Sequence, residues 1–171
     1  MSRSHDVGPI RGRATEIGLL LAMLEDGTRE WRGELGEVSE EAIVWQPVPN
    51  GHSIGGILIH IARAEMRWFH EVVRGISPTP EDRDLLMWES LRPHLGEWPA
   101  PPRRPLCWYL DVHDRIRARS LDLLAGLTDP AEEFAWRDDR VTLRWVLHHV
   151  ICHEAYHGGQ AVLLALQHGS W

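Results

Sequence analysis

Apolar residues recur every three or four positions through four stretches of this 171-residue chain, and prolines and glycines separate the stretches. A repeat of that length puts the apolar side chains on one face of a helix, and that face must be covered by another element. The first stretch runs from about Thr15 to Val38, with Ile17, Leu20, Leu21, Leu24, Thr28, Trp31 and Leu35 in phase. Pro47, Pro49, Asn50 and Gly51 then break the chain before Ser53, whose hydroxyl can accept from a free amide of a new helix. That second helix extends to about Gly75 and offers Ile54, Ile57, Leu58, Ile61, Ala64, Trp68 and Val72 to a core. Residues 75–105 form a long connection rich in proline, interrupted by a short helical piece near Asp82 to Leu91. The third helix spans about Leu106 to Leu127, closed by Asp129 and Pro130. Thr142 caps the fourth, which continues to about Gln167 before Gly169 stops it. No stretch alternates with the two-residue period of a strand, so the expected fold is all-α, in one domain covering residues 1–171 with a flexible polar start at 1–13.

An internal similarity suggests how such helices pair. Glu40-Glu41 and Trp45 precede Ser53, and His60 follows seven residues later; Glu132-Glu133 and Trp136 precede Thr142, and His149 follows at the same interval. Two hairpins of like design would pack as a pseudo-symmetric four-helix bundle.

Charge and composition exclude several classes of function. The net charge is −7, all 18 basic residues are arginine, and no basic face stands out, which argues against a nucleic-acid partner. The longest apolar run, Ala161 to Leu166, is far too short to span a membrane. Two cysteines, Cys107 and Cys152, do not make a disulfide framework, and Met1 to Arg13 lacks an apolar leader, so a cytoplasmic location is expected. Eleven histidines and nine tryptophans are the compositional excess.

His153-Glu154-Ala155-Tyr156-His157 lies inside the fourth helix. Histidines at i and i+4 face one way, one turn apart, so both imidazoles can reach a single ion. At about 100° per residue they share a stripe with Val146, Gln160 and Leu164, the face expected to be buried. Two buried imidazoles without an ion would each need separate partners, which favours a metal. A third ligand has to come from another helix. His60, in the sector of Ile57, Ile61 and Ala64, is the leading candidate; His113, His149 and His52 are rivals. Glu154 is the candidate general base of an H-E-x-x-H motif, although its direction, 60° to 100° from the histidines, also allows it to face another helix. Gln160 can orient a ligand or bond within the core, and Trp68 and Tyr156 can line a pocket or simply pack.

The segments His52-Ser-Ile-Gly-Gly-Ile-Leu-Ile-His60-Ile-Ala-Arg-Ala-Glu65 and Leu143-Arg-Trp-Val-Leu-His-His149-Val-Ile-Cys-His153-Glu-Ala-Tyr-His157-Gly-Gly-Gln160 resemble the DinB/YfiT-like superfamily of four-helix bundle metalloproteins. The resemblance implies a bundle with a proline-rich connection between its second and third helices. It also implies a divalent ion, zinc or nickel, on His60, His153 and His157. That superfamily often has a further His where this chain has Tyr156 and Arg where it has Gly158, neither an expected ligand. Three neutral nitrogens leave coordination positions open. Two enzymatic readings follow, a thiol S-transferase using a low-molecular-weight thiol as cosubstrate, or a small-molecule hydrolase. A non-catalytic metal-binding stress-response bundle and a plain interaction module are the alternatives. Resemblance alone implies a homodimer.

Overall fold

Caps and glycines set the ends of the long helices. In the computed structural model, which describes residues 7–169, helix α1 spans Thr15–Leu35 and stops at Gly36, where φ is +62°. Helix α2, Glu40–Val44, is a short extra helix before the break at residues 47–51; Ser39 Oγ starts it by accepting from the Ala42 amide. Helix α3, Ile54–Glu65, begins as expected at Ser53, whose Oγ accepts from Gly56 N at 3.2 Å. It passes without interruption into a π-helix, Met66–Val73, and the chain turns at Gly75 with φ +66°. The connection that follows holds α4, Pro80–Leu85, and a 3-10 turn, Pro93–Leu95, so its helical piece is shorter than the periodicity suggests. Helix α5 covers Leu106–Leu123, and α6 covers Leu143–His168. Thr142 caps α6 by accepting from Trp145 N at 3.2 Å, and Gly169 closes it with φ +78°.

The expectation of an all-α chain is corrected between α5 and α6. Strands β1, Glu133–Trp136, and β2, Asp139–Thr142, pair antiparallel with Trp136 opposite Asp139. The two-residue loop holds Arg137 at φ +56°, the backbone conformation that tight hairpin turns demand. Asn or Gly usually signals such a turn, and Arg137-Asp138 does not. Four-residue strands are also too short for their alternation to register. The hairpin overturns the internal symmetry as well, because the Trp45 segment ends a helix and the Trp136 segment ends a strand.

The protein is mostly helical, with the small sheet at one side. Helix α6 packs along α1 and α3, and α3 also packs along α5. The apolar interior falls into two parts. One gathers Trp31, Ile43, Ile57, Ile61, Met66, Tyr109 and Ile116. The other gathers Ile17, Leu21, Leu24, Phe69, Leu124, Val146 and Val150. Buried polar residues Glu65, Arg117 and Glu154, with His113 beside them, join α3, α5 and α6 as a charged layer within the core. Gly158 lets α6 approach α1 closely, since a Cβ there would come within 2.5 Å of Trp31 Cγ. Among the described residues no helix is long and apolar enough to cross a membrane.

Candidate metal centre

Three imidazoles converge where α3 meets α6. His60 projects from α3 seven residues after the Ser53 cap, and His153 and His157 project from successive turns of α6. The ring centroids are 4.7 Å apart for His60 and His153, 4.6 Å for His60 and His157, and 4.5 Å for His153 and His157. One nitrogen from each ring lies within 4.8 Å of the others. The closest approach is between the Nε2 atoms of His60 and His153, at 3.0 Å. The Gln160 amide oxygen accepts from His157 Nδ1 at 2.7 Å, one turn along α6, which leaves Nε2 of His157 bearing its lone pair.

Burial controls the protonation of the trio. Desolvation first, then the neighbouring imidazoles His153 and His157, push His60 down to about 2. Desolvation and His157 push His153 down to about 3, and desolvation lowers His157 as well. Among the described residues, His60 Nδ1 is buried without a hydrogen-bond partner. The rings are therefore neutral over the physiological range, as nitrogen ligands must be.

The rest of the chain closes around this cluster. The Gln46 side chain donates to Gly51 O at 2.6 Å and to Trp98 O at 2.8 Å, tying the loop before α3 to the end of the proline-rich connection. His52 consequently meets the Trp98 ring edge-on at 4.1 Å, and Trp98 covers His60 at 5.1 Å. Tyr156 meets His157 edge-on but is 65% exposed. On the other side a pocket of about 230 Å³ opens onto His60 and His153, with Arg63, Arg67, Trp68, Arg137 and His149 among its walls. Trp68 is thus a wall residue. Trp136, from the hairpin, lies 5.1 Å from it and was not foreseen.

The rival histidines take other roles. His149 stacks on Trp145 at 4.9 Å and meets Trp68 at 4.6 Å, one turn before the trio. His113 is 1% exposed in the charged layer. An arginine can only donate, so His113 Nδ1 accepts from Arg32 Nη2 at 2.8 Å, while its Nε2 lies 3.3 Å from Arg117 Nη2 and 3.4 Å from Glu65 Oε2.

Glu154 also belongs to the charged layer. It is 2% exposed, and its carboxylate accepts from Arg117 Nη2 at 2.6 Å, Trp31 Nε1 at 3.0 Å and the Thr28 hydroxyl. The deepest face of α6 runs through Val150, Glu154, Gly158 and Ala161, with His153 and His157 half-buried at its flank. Arg117 Nε also donates to both oxygens of Glu65, at 3.0 and 2.9 Å, and so joins α3, α5 and α6. Burial alone would raise the Glu65 carboxyl, but the charge of Arg117 and the bonds from His113 and Arg117 outweigh it and hold it below its ordinary value. Burial likewise opposes the Arg117 charge, and Glu65 and Glu154 together hold it firmly protonated.

The family model described as Mycothiol-S-transferase matches residues 19–165, and the chain belongs to that family. The family is part of the DinB/YfiT-like metalloprotein superfamily. No curated protein matches the chain.

Proposed function

We propose that this member of the mycothiol-S-transferase family transfers a low-molecular-weight thiol to a small electrophile at a divalent metal ion, zinc or nickel, on His60, His153 and His157. The observation that carries the reading is the convergence of three neutral imidazoles, with the Nε2 atoms of His60 and His153 3.0 Å apart. Two nitrogens bound to one ion at 2.0–2.1 Å in tetrahedral geometry stand roughly 3.3 Å apart, so the His60 and His153 donors need to move only a few tenths of an ångström, and the His157 donor lies within 4.8 Å of both. The four long helices α1, α3, α5 and α6 form the bundle that keeps these donors in register.

A divalent ion held there would supply the positive charge that ionises a thiol at neutral pH and turns it into a strong nucleophile. The chain's own residues do the rest. Gln160 holds the His157 tautomer, so that Nε2 rather than Nδ1 faces the cluster. Trp98 and His52 shield the far side from water. The pocket before His60 and His153 gives the electrophile a place beside the thiol, with Trp68 and Trp136 as flat walls. Hydrolysis by an H-E-x-x-H mechanism lacks its base, since Glu154 spends its carboxylate on Arg117, Thr28 and Trp31.

The test is conjugation by purified protein loaded with zinc or nickel, given mycothiol and an aryl chloride electrophile and read by mass spectrometry. Wild type should outrun the uncatalysed reaction, and H153A should lose at least a hundredfold with unchanged far-UV circular dichroism. Equal rates for the two proteins overturn the proposal.

A further inference from the structure

Acidic residues outnumber basic ones 25 to 18 in this chain, yet the pocket before His60 and His153 reverses that balance. Three arginines line it, Arg63, Arg67 and Arg137, and none of its wall residues is a carboxylate. Arg63 is already committed, because it donates to Leu91 O and its guanidinium lies 4.9 Å from the Trp88 ring centre. Arg67 and Arg137 are exposed and make no ion pair among the described residues.

Two irregular pieces of backbone deliver these side chains. Arg67 and Trp68 come from the π-helix Met66–Val73, and helices of that kind recur at functional sites. Arg137 sits at φ +56°, where a side chain is strained, with its guanidinium 4.9 Å from the Trp136 ring centre. Trp68 and Trp136 face the same space with centroids 5.1 Å apart. Two arginines that make no ion pair among the described residues, beside two indole walls, form a receptor for a flat anion, since a guanidinium matches a carboxylate in shape and charge. A volume of about 230 Å³ admits one ring with short substituents.

We propose that this pocket selects an aromatic or conjugated carboxylate, its ring against Trp68 and Trp136 and its charge met by Arg67 and Arg137. The carboxylate is the electrophile of the transfer, a clause that alone rests on the thiol-transfer reading. With an aryl chloride the step balances simply. The sulfur–carbon bond forms, the carbon–chlorine bond breaks, chloride leaves with the bonding pair, and the thiol proton passes to solvent.

Binding and turnover test the two claims separately on the full chain. In calorimetric titration, wild type should bind 4-nitrobenzoate at least tenfold more tightly than the uncharged 4-nitrobenzamide, and added salt should narrow the gap. R67Q and R137Q should each cut the preference about fivefold, and the double variant should abolish it. Equal affinity for the two ligands, or variants that keep the preference, would overturn the proposal. Turnover of 4-chloro-3-nitrobenzoate is then compared with that of 4-chloro-3-nitrobenzamide in metal-loaded protein with mycothiol. A preference for the benzoate supports its role as electrophile, and equal turnover refutes that role. Selective binding with no turnover of either compound keeps the pocket and removes the transferase reading.

Discussion

Replacing Arg117 with methionine should reveal how much of the fold rests on its charged layer. Arg117 gives two bonds to Glu65, one to Glu154 and one to Thr28, and both carboxylates are 1–2% exposed. Removing the guanidinium leaves Glu154 with Trp31 and Thr28 but leaves Glu65 only the His113 ring at 3.4 Å. Taking one partner out of a buried ion pair costs about 3–5 kcal/mol, a large share of the roughly 5–15 kcal/mol that holds an ordinary domain folded. A loss near 4 kcal/mol is expected at pH 7. The sign of its pH dependence follows from Glu65. In wild type Arg117 keeps that carboxyl below its ordinary value, so it binds no proton between pH 7 and 5. In R117M the pull is gone and burial raises the carboxyl, so the folded variant takes up a proton that the unfolded chain does not hold until about pH 4.5. Stability of the variant therefore rises relative to wild type as pH falls, by up to about 1.4 kcal/mol per unit for one proton. The depressed histidines weaken both proteins alike and cancel in the difference. Urea unfolding followed by circular dichroism at pH 7, 6 and 5 reads the effect, and R117M/E65Q should recover part of the loss at pH 7. A variant within 1 kcal/mol of wild type at pH 7, or a deficit that does not change with pH, would refute the reasoning.

Gln160→Ala should lower metal affinity about 10- to 100-fold in competition with a chromophoric chelator, because His157 loses the acceptor that fixes its tautomer. Gly158→Ala should cost about 2 kcal/mol in chemical denaturation, the clash with Trp31 exceeding the gain in helix propensity. Asp82, held down to about 2 chiefly by Arg119, stabilises the fold above its ordinary value of 3.8 and loses that contribution as pH falls towards 2. With Arg119 half exposed, Asp82→Asn should cost roughly 1–2 kcal/mol at pH 7, and the difference between the proteins should close between pH 4 and 2.

Features that depend on a few neighbouring residues were legible in the sequence. Ser53, Thr142 and Gly169 end helices where their chemistry places them, since a cap needs only the adjacent turn. The approach of His60 to His153 and His157 was legible because helical period fixes which side chains share a face. The hairpin was not, because its strands are four residues long and Arg137 takes the turn position where glycine or asparagine is usual. The π-helix was hidden too, as its residues continue the apolar pattern of α3. The histidines of α6 suggest one buried line, whereas its most buried line passes through Glu154 and Gly158. A signal for the charged layer was present: Thr28, Glu65, Arg117 and Glu154 each interrupt an apolar face in phase. Four such interruptions on four helices are more economically read as partners than as solvated residues.

The claim beneath the functional proposal is that His60, His153 and His157 act together on one cation. Elemental analysis of the purified chain, with each histidine changed to alanine in turn, tests it directly. Wild type should carry close to one divalent ion per chain, and each of H60A, H153A and H157A should lose most of it while remaining helical. Wild type that binds no zinc or nickel, and gains no thermal stability when either is added, would contradict the claim.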